Sequence, residues 1–227
     1  MPTYIQKSSA QLQSAPGADA TLEKPGNTSE LGIVLDQSGS MSSLVNEALA
    51  AFNNLLEEQR NLKDADSSSA FSLALFNSAV RLLYDGVPIA EAKPLTRDLY
   101  TPSDGTALND AIGTMIQAIG RRIRHRTRVL VAILTDGEEN DSRKFSIPDI
   151  RQMISYRRTI YDWQFIFIGP PEAEHYALSL GIPKSNITSF SADGDGAGIT
   201  AIMARLSLSM RAYQLGDRRY ALKLHNS

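Results

Sequence analysis

The chain has 227 residues, of which 42% are hydrophobic and 21% are charged, and its formal net charge is -2. This composition favours one globular domain with a substantial core, and the near-neutral charge creates no general attraction to nucleic acid or to an anionic membrane. The sequence contains no cysteine, which excludes disulfides, thiolate metal sites and cysteine nucleophiles. It shows no signal-peptide core and no apolar run long enough to span a bilayer, so we expect a soluble cytoplasmic protein.

The first 30 residues differ in composition from the rest of the chain. Residues 1–30 are rich in Ser, Ala, Gln, Pro and Gly and show no sustained apolar period, so we expect a flexible N-terminal arm. The folded domain is expected to cover residues 31–216, and a short C-terminal tail is expected at residues 217–227.

The first predicted strand, Leu31–Leu35, ends at an acidic residue and is followed by an amphipathic helix, Leu44–Arg60. Asp36, Ser38 and Ser40 therefore lie on a strand-to-helix turn. In an open α/β sheet, such turns at the carboxyl ends of strands form the binding crevice. Carboxylate and hydroxyl oxygens suit a hard divalent cation, which here means Mg²⁺, Mn²⁺ or Ca²⁺.

The next segment predicts a hairpin and a second polar turn. Strands Phe71–Phe76 and Val80–Tyr84 are separated by a short turn, so we expect them to pair antiparallel, with the second strand at the sheet edge. The turn cluster TPSDGT then leads into the helix Ala107–Arg122. Thr106, with Asp104 close by, brings further oxygen side chains to this turn.

A dense basic run, RRIRHRTR, occupies residues 121–128. One interpretation is a patch for phosphate or nucleic acid. The interpretation that we favour is a solvated helix end, because cations interact favourably with the helix dipole there and no aromatic stacking platform accompanies the run.

The strand Val129–Leu134 is a continuous run of apolar, mostly branched residues, which is typical of a central strand that is covered on both faces. Asp136 follows its end, so a second acid lies at a strand terminus. The remaining predicted elements are the helix Ile147–Tyr161, the strand Trp163–Gly169, the short helix Glu172–Leu180, the strand Ile187–Phe190 and the helix Ile199–Leu215. This alternation predicts an α/β fold with a doubly wound, mostly parallel sheet, one antiparallel edge strand and helices on both faces.

Three polar loops would meet over one crevice if the strands ending at Leu35 and Leu134 are neighbours at the point where the strand order reverses. The motifs of these loops are DQSGSM at residues 36–41, DGTAL at residues 104–108 and TDGEEN at residues 135–140. Together they resemble the von Willebrand factor A (vWA) domain and its metal-ion-dependent adhesion site. The resemblance covers about residues 31–215, and the third motif is similar to that of small stand-alone bacterial and phage vWA proteins.

The resemblance implies a binding module and not an enzyme. It implies that Ser38, Ser40 and Thr106 face the metal with neutral oxygens, while Asp36 and Asp136 act largely through water or through hydrogen bonds. A cation with few anionic ligands stays electron-poor and keeps exchangeable waters, one of which a partner's carboxylate can replace. We therefore expect a divalent cation, with Mg²⁺ preferred over Mn²⁺ and Ca²⁺, and a protein partner that offers an Asp or Glu, with no nucleic acid and no membrane.

A purely structural interpretation of the same residues remains open. Ser38 and Ser40 could cap the following helix, and Asp36 and Asp136 could be turn acids. An enzymatic alternative is a magnesium-dependent phosphatase or hydrolase with Asp36 as the nucleophile. The haloacid-dehalogenase pattern, however, requires a second Asp where Ser38 stands.

Two further enzyme classes lack their motifs. A serine hydrolase needs a histidine base, but His125, His175 and His225 lie in no supporting motif. The phosphate-binding loop of motor ATPases is absent from the sequence, although the chain could still resemble the vWA subunit that partners such an ATPase. Glu138 and Glu139, which follow the second acid, could rim the site, but we favour their interpretation as solvated loop charge.

Overall fold

The structure, a computed structural model, describes residues 28–61, 69–123, 127–137, 139–190 and 197–215. The described residues include six strands, which are β1 (Ser29–Asp36), β2 (Ala70–Phe76), β3 (Val80–Pro88), β4 (Arg128–Leu134), β5 (Gln164–Gly169) and β6 (Ile187–Ser189). Strand β1 thus begins two residues before the predicted start of the domain. Residues 1–27 of the predicted arm and the whole predicted tail lie outside the described residues, so these boundaries stay predictions.

All six strands belong to one sheet, in the order β3-β2-β1-β4-β5-β6. Neighbouring strands are parallel except for β2 and β3, which pair antiparallel and leave β3 at the edge. Strands β1 and β4 lie side by side, with Leu35 beside Leu134, and the chain proceeds outward from this pair in both directions. The predicted fold class is therefore confirmed, and the strand order reverses between β1 and β4.

Helices cover both faces of the sheet. Those in the described residues are α1 (Val45–Arg60), α2 (Leu108–Arg122), α3 (Ile147–Tyr161), α4 (Glu174–Ser179) and α5 (Ala197–Gln214). Helices α1 and α5 share a core with Leu130 and Leu134 of β4, while α2, α3 and α4 share the opposite core with Val131 and Ile133. Burial on both faces explains why β4 is apolar from Val129 to Leu134. Among the described helices, none is long and apolar enough to cross a lipid bilayer.

A glycine in β1 lets helix α2 pack directly on the sheet. A Cβ atom on Gly32 would lie only 3.0 Å from Ile119 Cδ1 and 3.2 Å from Met115 Sδ. Because the interior is densely packed, a larger residue at this position would push the helix outward. Helix α2 begins near the carboxyl ends of the strands. The close packing at Gly32 therefore also determines the distance between the first turn of α2 and those strand ends.

The first turn of α2 anchors the segment that follows β4. The buried side chain of Asp110 accepts backbone hydrogen bonds from Arg143 at 3.0 Å, from Lys144 at 2.9 Å and from Phe145 at 2.9 Å. Hydrogen bonds to a charged group are stronger than neutral ones. This carboxylate therefore holds the loop after β4 against the helix.

Part of the basic run at the end of α2 is used inside the molecule. Arg122 forms a salt bridge of 2.7 Å with the buried Glu30 of β1 and donates to Ser72 Oγ of β2 at 2.6 Å. It also pairs with Asp85 of β3. Arg122 thus joins α2 to three strands, while residues 124–126 of the same run lie outside the described residues.

Candidate metal centre

The candidate site lies at the carboxyl edge of the sheet, in three loops. These are the serine loop (residues 36–40), the threonine loop (residues 103–107) and the acidic loop (residues 135–140), of which Glu138 lies outside the described residues. Gly39 N donates to Asp104 O at 3.1 Å, which ties the serine loop to the threonine loop. Asn140 N donates to Thr106 O at 3.1 Å, which ties the threonine loop to the acidic loop. The backbone itself therefore brings the three loops together.

A chain of hydrogen bonds joins the serine loop to the second acid. Ser40 Oγ donates to Asp136 Oδ1 at 2.8 Å, and Ser38 Oγ lies 3.0 Å from Ser40 Oγ. Because a hydroxyl has one proton, Ser38 must donate to Ser40 when Ser40 donates to Asp136. Ser38 is buried, whereas Ser40 is exposed and Asp136 is half-buried, so the chain leads from the protein interior to the surface.

Asp36 is fully buried, and both of its carboxylate oxygens accept hydrogen bonds from the protein. Oδ1 accepts from Ser38 N at 2.6 Å, and Oδ2 accepts from Thr135 Oγ1 at 2.5 Å. Burial raises the pKa of Asp36 to about 6, although these hydrogen bonds oppose the shift. A nearby cation would favour the ionised form and so counteract the effect of burial.

Thr106 comes from the threonine loop and faces the same space as Ser40. A Cβ atom on Gly137 would lie 3.6 Å from Thr106 Oγ1 and 3.6 Å from Ser40 Oγ. Both hydroxyls therefore border the small volume that the glycine leaves open. Thr106 is buried, and its hydroxyl makes no hydrogen bond to another residue in the described part of the chain.

The described structure does not support the capping interpretation of the hydroxyls. The turn after β1 is a 3₁₀ helix, Gly39–Leu44, and its N-cap residue Ser38 makes no side-chain capping hydrogen bond within the described residues. Helix α2 starts after Ala107, so Thr106 is not its N-cap residue. The two serine hydroxyls instead contact each other and Asp136, and Thr106 borders the same open volume as Ser40. The N–H groups of Asn109 and Asp110 in the first turn of α2 are taken by Glu139 and Ser142.

The candidate donor set, as the sequence predicts it, consists of two carboxylates and three hydroxyls. Burial raises the pKa of Asp136, and the hydrogen bond from Ser40 opposes that shift. Within the described ranges, no group of three or more His, Asp or Glu side chains could hold a metal on its own. A hydroxyl-rich set of oxygens, with an open volume beside Gly137, fits a hard cation that keeps some of its waters.

Glu139 has a structural role that the sequence interpretation missed. Its Oε2 accepts from Asn109 N at 2.8 Å and from Ser142 Oγ at 2.7 Å, and its Oε1 accepts from Ser142 N at 2.8 Å. The interpretation of Glu139 as solvated loop charge was therefore wrong. The physical reason is that free N–H groups and a positive dipole at the start of α2 stabilise a carboxylate there.

Sequence reasoning also missed the residues that hold the candidate ligands in place. Thr135 and Asn140 were recognised only as letters of a motif, although they contact Asp36 and Thr106 directly. A register in which Leu35 lies beside Leu134 puts Asp36 next to Thr135, so the strand pairing would have been the signal. No periodic pattern in the sequence could have supplied that pairing.

Solved structures of vWA proteins resemble this chain in fold. Proximal thread matrix protein 1 from the mussel byssus matches with a TM-score of 0.59 and 10% identity, over 82% of this chain and 48% of that one. A von Willebrand factor type A protein from Catenulispora acidiphila matches with a TM-score of 0.57 and 15% identity, over 79% and 42%. The ArnB paralog VWA2 from Sulfolobus acidocaldarius matches with a TM-score of 0.53 and 18% identity, over 80% and 45%.

The chain spans less than half the length of each of these three solved chains. The mussel protein has also been solved with zinc in its metal-ion-dependent adhesion site motif, and that structure matches with a TM-score of 0.55 and 14% identity, over 84% of this chain and 46% of that one. No family model and no curated protein sequence matches this chain.

Proposed function

We propose that this chain, which has the von Willebrand factor A fold, is a protein-interaction module that binds a partner's carboxylate through a divalent cation. The observation that carries the proposal is the convergence of three loops, which brings the hydroxyls of Ser38, Ser40 and Thr106 together beside Asp36 and Asp136. A zinc-occupied site in a protein of the same fold supports a divalent cation in such a place.

The role that we propose for each residue at the metal site follows from its contacts in the structure. Ser38, Ser40 and Thr106 would offer neutral oxygens to the cation. Asp36 already uses both oxygens to accept protein hydrogen bonds, and Asp136 accepts from Ser40, so these acids would orient the hydroxyls and balance charge through hydrogen bonds and water. When bound, the cation would supply positive charge and an exchangeable position for a partner's Asp or Glu.

The electrostatic gain from such a contact is large enough to orient a partner. Unit charges ~4 Å apart attract by ~4 kcal/mol at an effective dielectric constant of ~20. The three neutral hydroxyls would leave most of the positive charge available to the partner. Oxygen donors with retained waters favour Mg²⁺ or Mn²⁺, and Ca²⁺ would need more oxygen ligands.

We also propose that the chain has no hydrolase activity of its own. An aspartyl nucleophile at Asp36 would have to give up the hydrogen bonds that occupy both of its oxygens. Within the described residues, His175 lies exposed on α4, and no hydrogen bond joins a histidine to Ser38 or Ser40. His125 and His225 lie outside the described residues. Magnesium-dependent hydrolysis of p-nitrophenyl phosphate that is lost in Asp36→Asn would overturn this proposal.

Calorimetric titration tests the metal site. Mn²⁺ would be titrated into the metal-free wild type, into Ser40→Ala and into the matched control Ser43→Ala, which removes an exposed hydroxyl just outside the site. We expect the wild type and Ser43→Ala to bind alike, and Ser40→Ala to bind more weakly. Equal affinity of Ser40→Ala and Ser43→Ala would contradict the assignment of Ser40.

Immobilised acidic peptide tests the second half of the proposal. We expect retention of the wild type on a poly-glutamate surface when Mn²⁺ is present, and release when a chelator is added. A poly-glutamine surface is the control for contacts that do not involve a carboxylate. Retention that is independent of Mn²⁺, or equal on both surfaces, would contradict capture of a carboxylate by the cation.

A further inference from the structure

We infer that the acidic loop aligns the metal site, and that Thr135 and Asn140 are its positioning residues. Thr135 would orient Asp36, and Asn140 would orient Thr106. Neither residue belongs to the proposed set of metal-facing oxygens. The inference rests on the proposed function, because it states how the same site is held in a binding-competent arrangement.

Thr135 connects the end of β4 to the buried carboxylate at the end of β1. Its side chain is fully buried, and Oγ1 donates to Asp36 Oδ2 at 2.5 Å. The same oxygen accepts from Gly137 N at 3.2 Å and lies 3.2 Å from Gly137 O. Since the carboxylate is the nearer and the charged acceptor, the hydroxyl proton points to Asp36. The hydroxyl therefore fixes the turn of the acidic loop against the serine loop.

The orientation of Asp36 depends on having a donor at each oxygen. Ser38 N holds Oδ1, and Thr135 holds Oδ2, so the carboxylate cannot rotate without losing one of these bonds. Loss of the Thr135 hydroxyl would leave a buried acceptor unpaired, which is costly. The carboxylate would turn to find another partner, and the backbone N–H of Ser38 would lose its fixed acceptor. The serine loop would then no longer present Ser38 and Ser40 together.

Asn140 forms hydrogen bonds with both the backbone N–H and the backbone C=O of Thr106. Asn140 Oδ1 accepts from Thr106 N at 2.9 Å, and Asn140 N donates to Thr106 O at 3.1 Å. This two-point contact fixes the plane of the threonine backbone and hence the direction of its side chain. The Thr106 hydroxyl is thereby kept beside Gly137, in the volume that it shares with Ser40.

Both contacts start from the short acidic loop. This loop therefore links the hydroxyls of the serine loop to the hydroxyl of Thr106 in the threonine loop. Thr135, at the start of the acidic loop, fixes the position of the serine loop, and Asn140, at its end, fixes the position of the threonine loop. A merely structural role would lower thermal stability and leave the cation affinity of the folded protein unchanged. If the residue has a positioning role, its loss lowers the cation affinity, and a substitution that keeps the same hydrogen-bonding group restores that affinity. Partners of metal ligands typically change metal affinity by ~10–100-fold when they are mutated.

The first test is a pair of variants at Thr135. Thr135→Val keeps the shape but removes the hydroxyl, and Thr135→Ser restores it. Calorimetric titration with Mn²⁺ should show affinity at least ~10-fold weaker for Thr135→Val and near wild type for Thr135→Ser, with melting of the metal-free proteins measured alongside. Wild-type affinity in a folded Thr135→Val protein would overturn the role of Thr135, whatever its melting temperature.

The second test uses Asn140, whose exposed position makes a folded variant easier to obtain. We expect Asn140→Ala to bind Mn²⁺ ~10-fold more weakly, and the exposed control Asn54→Ala on α1 to bind as the wild type does. Equal affinity of the two variants would overturn the role of Asn140, and this test decides the inference if Thr135→Val does not fold. A wild type that binds no Mn²⁺ would instead overturn the proposed function itself.

Discussion

The Tyr100 hydroxyl donates a hydrogen bond of 2.6 Å to the main-chain carbonyl oxygen of Asp36. Both residues are buried, and burial raises the pKa of Tyr100 above its usual range, so the hydroxyl keeps its proton. The contact joins the segment before the threonine loop to the end of β1. It thus supports the start of the serine loop through the backbone of Asp36, whereas Thr135 of the acidic loop contacts the side chain of the same residue.

Tyr100→Phe should lower stability, because it removes the hydroxyl but keeps the ring. We expect a loss of ~1 kcal/mol in the free energy of unfolding, which is the typical net contribution of such a hydrogen bond. Urea denaturation measures it. Tyr156→Phe on the exposed face of α3 is the control, because its hydroxyl makes a long surface contact of 3.4 Å with Tyr161 Oη and its loss should cost much less. An equal stability of the two variants would mean that the Asp36 carbonyl finds another donor.

The existence and order of the strands and helices could be predicted because periodicity records burial. The strand β4 is apolar from Val129 to Leu134 since both of its faces are covered there, and α2 shows a buried stripe that includes Ile112 and Ile119. Element ends were predicted less well. The predicted helix Glu172–Leu180, for example, is a 3₁₀ turn followed by the shorter α4, because local turn chemistry does not show in an apolar pattern.

The polar contacts around the candidate site could be predicted only in part. The motifs placed Asp36 and Asp136 at strand ends that would meet if the two strands were neighbours, and the structure shows these strands paired. The roles of Glu139, Asn140 and Tyr100 depend on side chains that reach a backbone group far away in sequence. Such contacts follow from register and helix placement, which a single sequence does not contain. The assignment of the five oxygen residues as a metal site stays a prediction.

The N-terminal arm offers a test of the domain boundary. Deletion of residues 1–25 should leave the fold intact, because Ser29 and Glu30 are the first residues of β1 and are buried. Deletion of residues 1–32 should destabilise the protein strongly, because it removes Glu30, the buried ion-pair partner of Arg122, and half of a central strand. Circular dichroism and thermal melting of the two truncated proteins measure this. Loss of the fold in the shorter deletion would contradict the predicted boundary.

The capping box of α3 predicts a pH-dependent contribution to stability. Ser146 Oγ accepts from Asp149 N at 3.4 Å, and Asp149 Oδ2 accepts from Ser146 N at 2.8 Å. The hydrogen bonds from Ser146 lower the pKa of Asp149 below its usual value. A lowered pKa in the folded state means that the stabilisation is present above the unfolded-state pKa and is lost as the pH falls through the folded-state pKa.

Ser146→Ala should therefore cost ~1 kcal/mol at neutral pH, as is typical for loss of an N-cap. We expect the difference between wild type and variant to shrink as the pH falls below ~4, the usual pKa of an aspartate. Urea denaturation at several pH values measures it. Ser155→Ala, in the exposed middle of α3, is the control. A difference that is constant with pH would show that the Ser146 hydroxyl does not stabilise the ionised Asp149 carboxylate.

Divalent cations should raise the melting temperature of the wild type. A ligand that binds only the folded state stabilises it by RT ln(1 + [L]/Kd), which is ~2.7 kcal/mol at a concentration ~100 times the Kd. We expect the shift with millimolar Mg²⁺ or Mn²⁺ in differential scanning calorimetry, and its loss in Ser40→Ala. An identical shift in both proteins would indicate that the ions act elsewhere on the molecule.

Thr106→Ala should separate the fold from the metal site. The Thr106 hydroxyl makes no hydrogen bond within the described residues and does not cap α2, so its removal should change the metal-free melting temperature little. On the metal interpretation, the variant loses the hydroxyl that the threonine loop offers to the cation. Its affinity for Mn²⁺ should fall by at least the ~10-fold that is typical when a partner of a metal ligand is lost. The control Thr96→Ala removes an exposed hydroxyl outside the site and should bind Mn²⁺ as the wild type does. If the affinities of Thr106→Ala and Thr96→Ala are equal, Thr106 does not contact the cation, and the case for a site built from three loops fails because the serine and acidic loops alone would account for the binding.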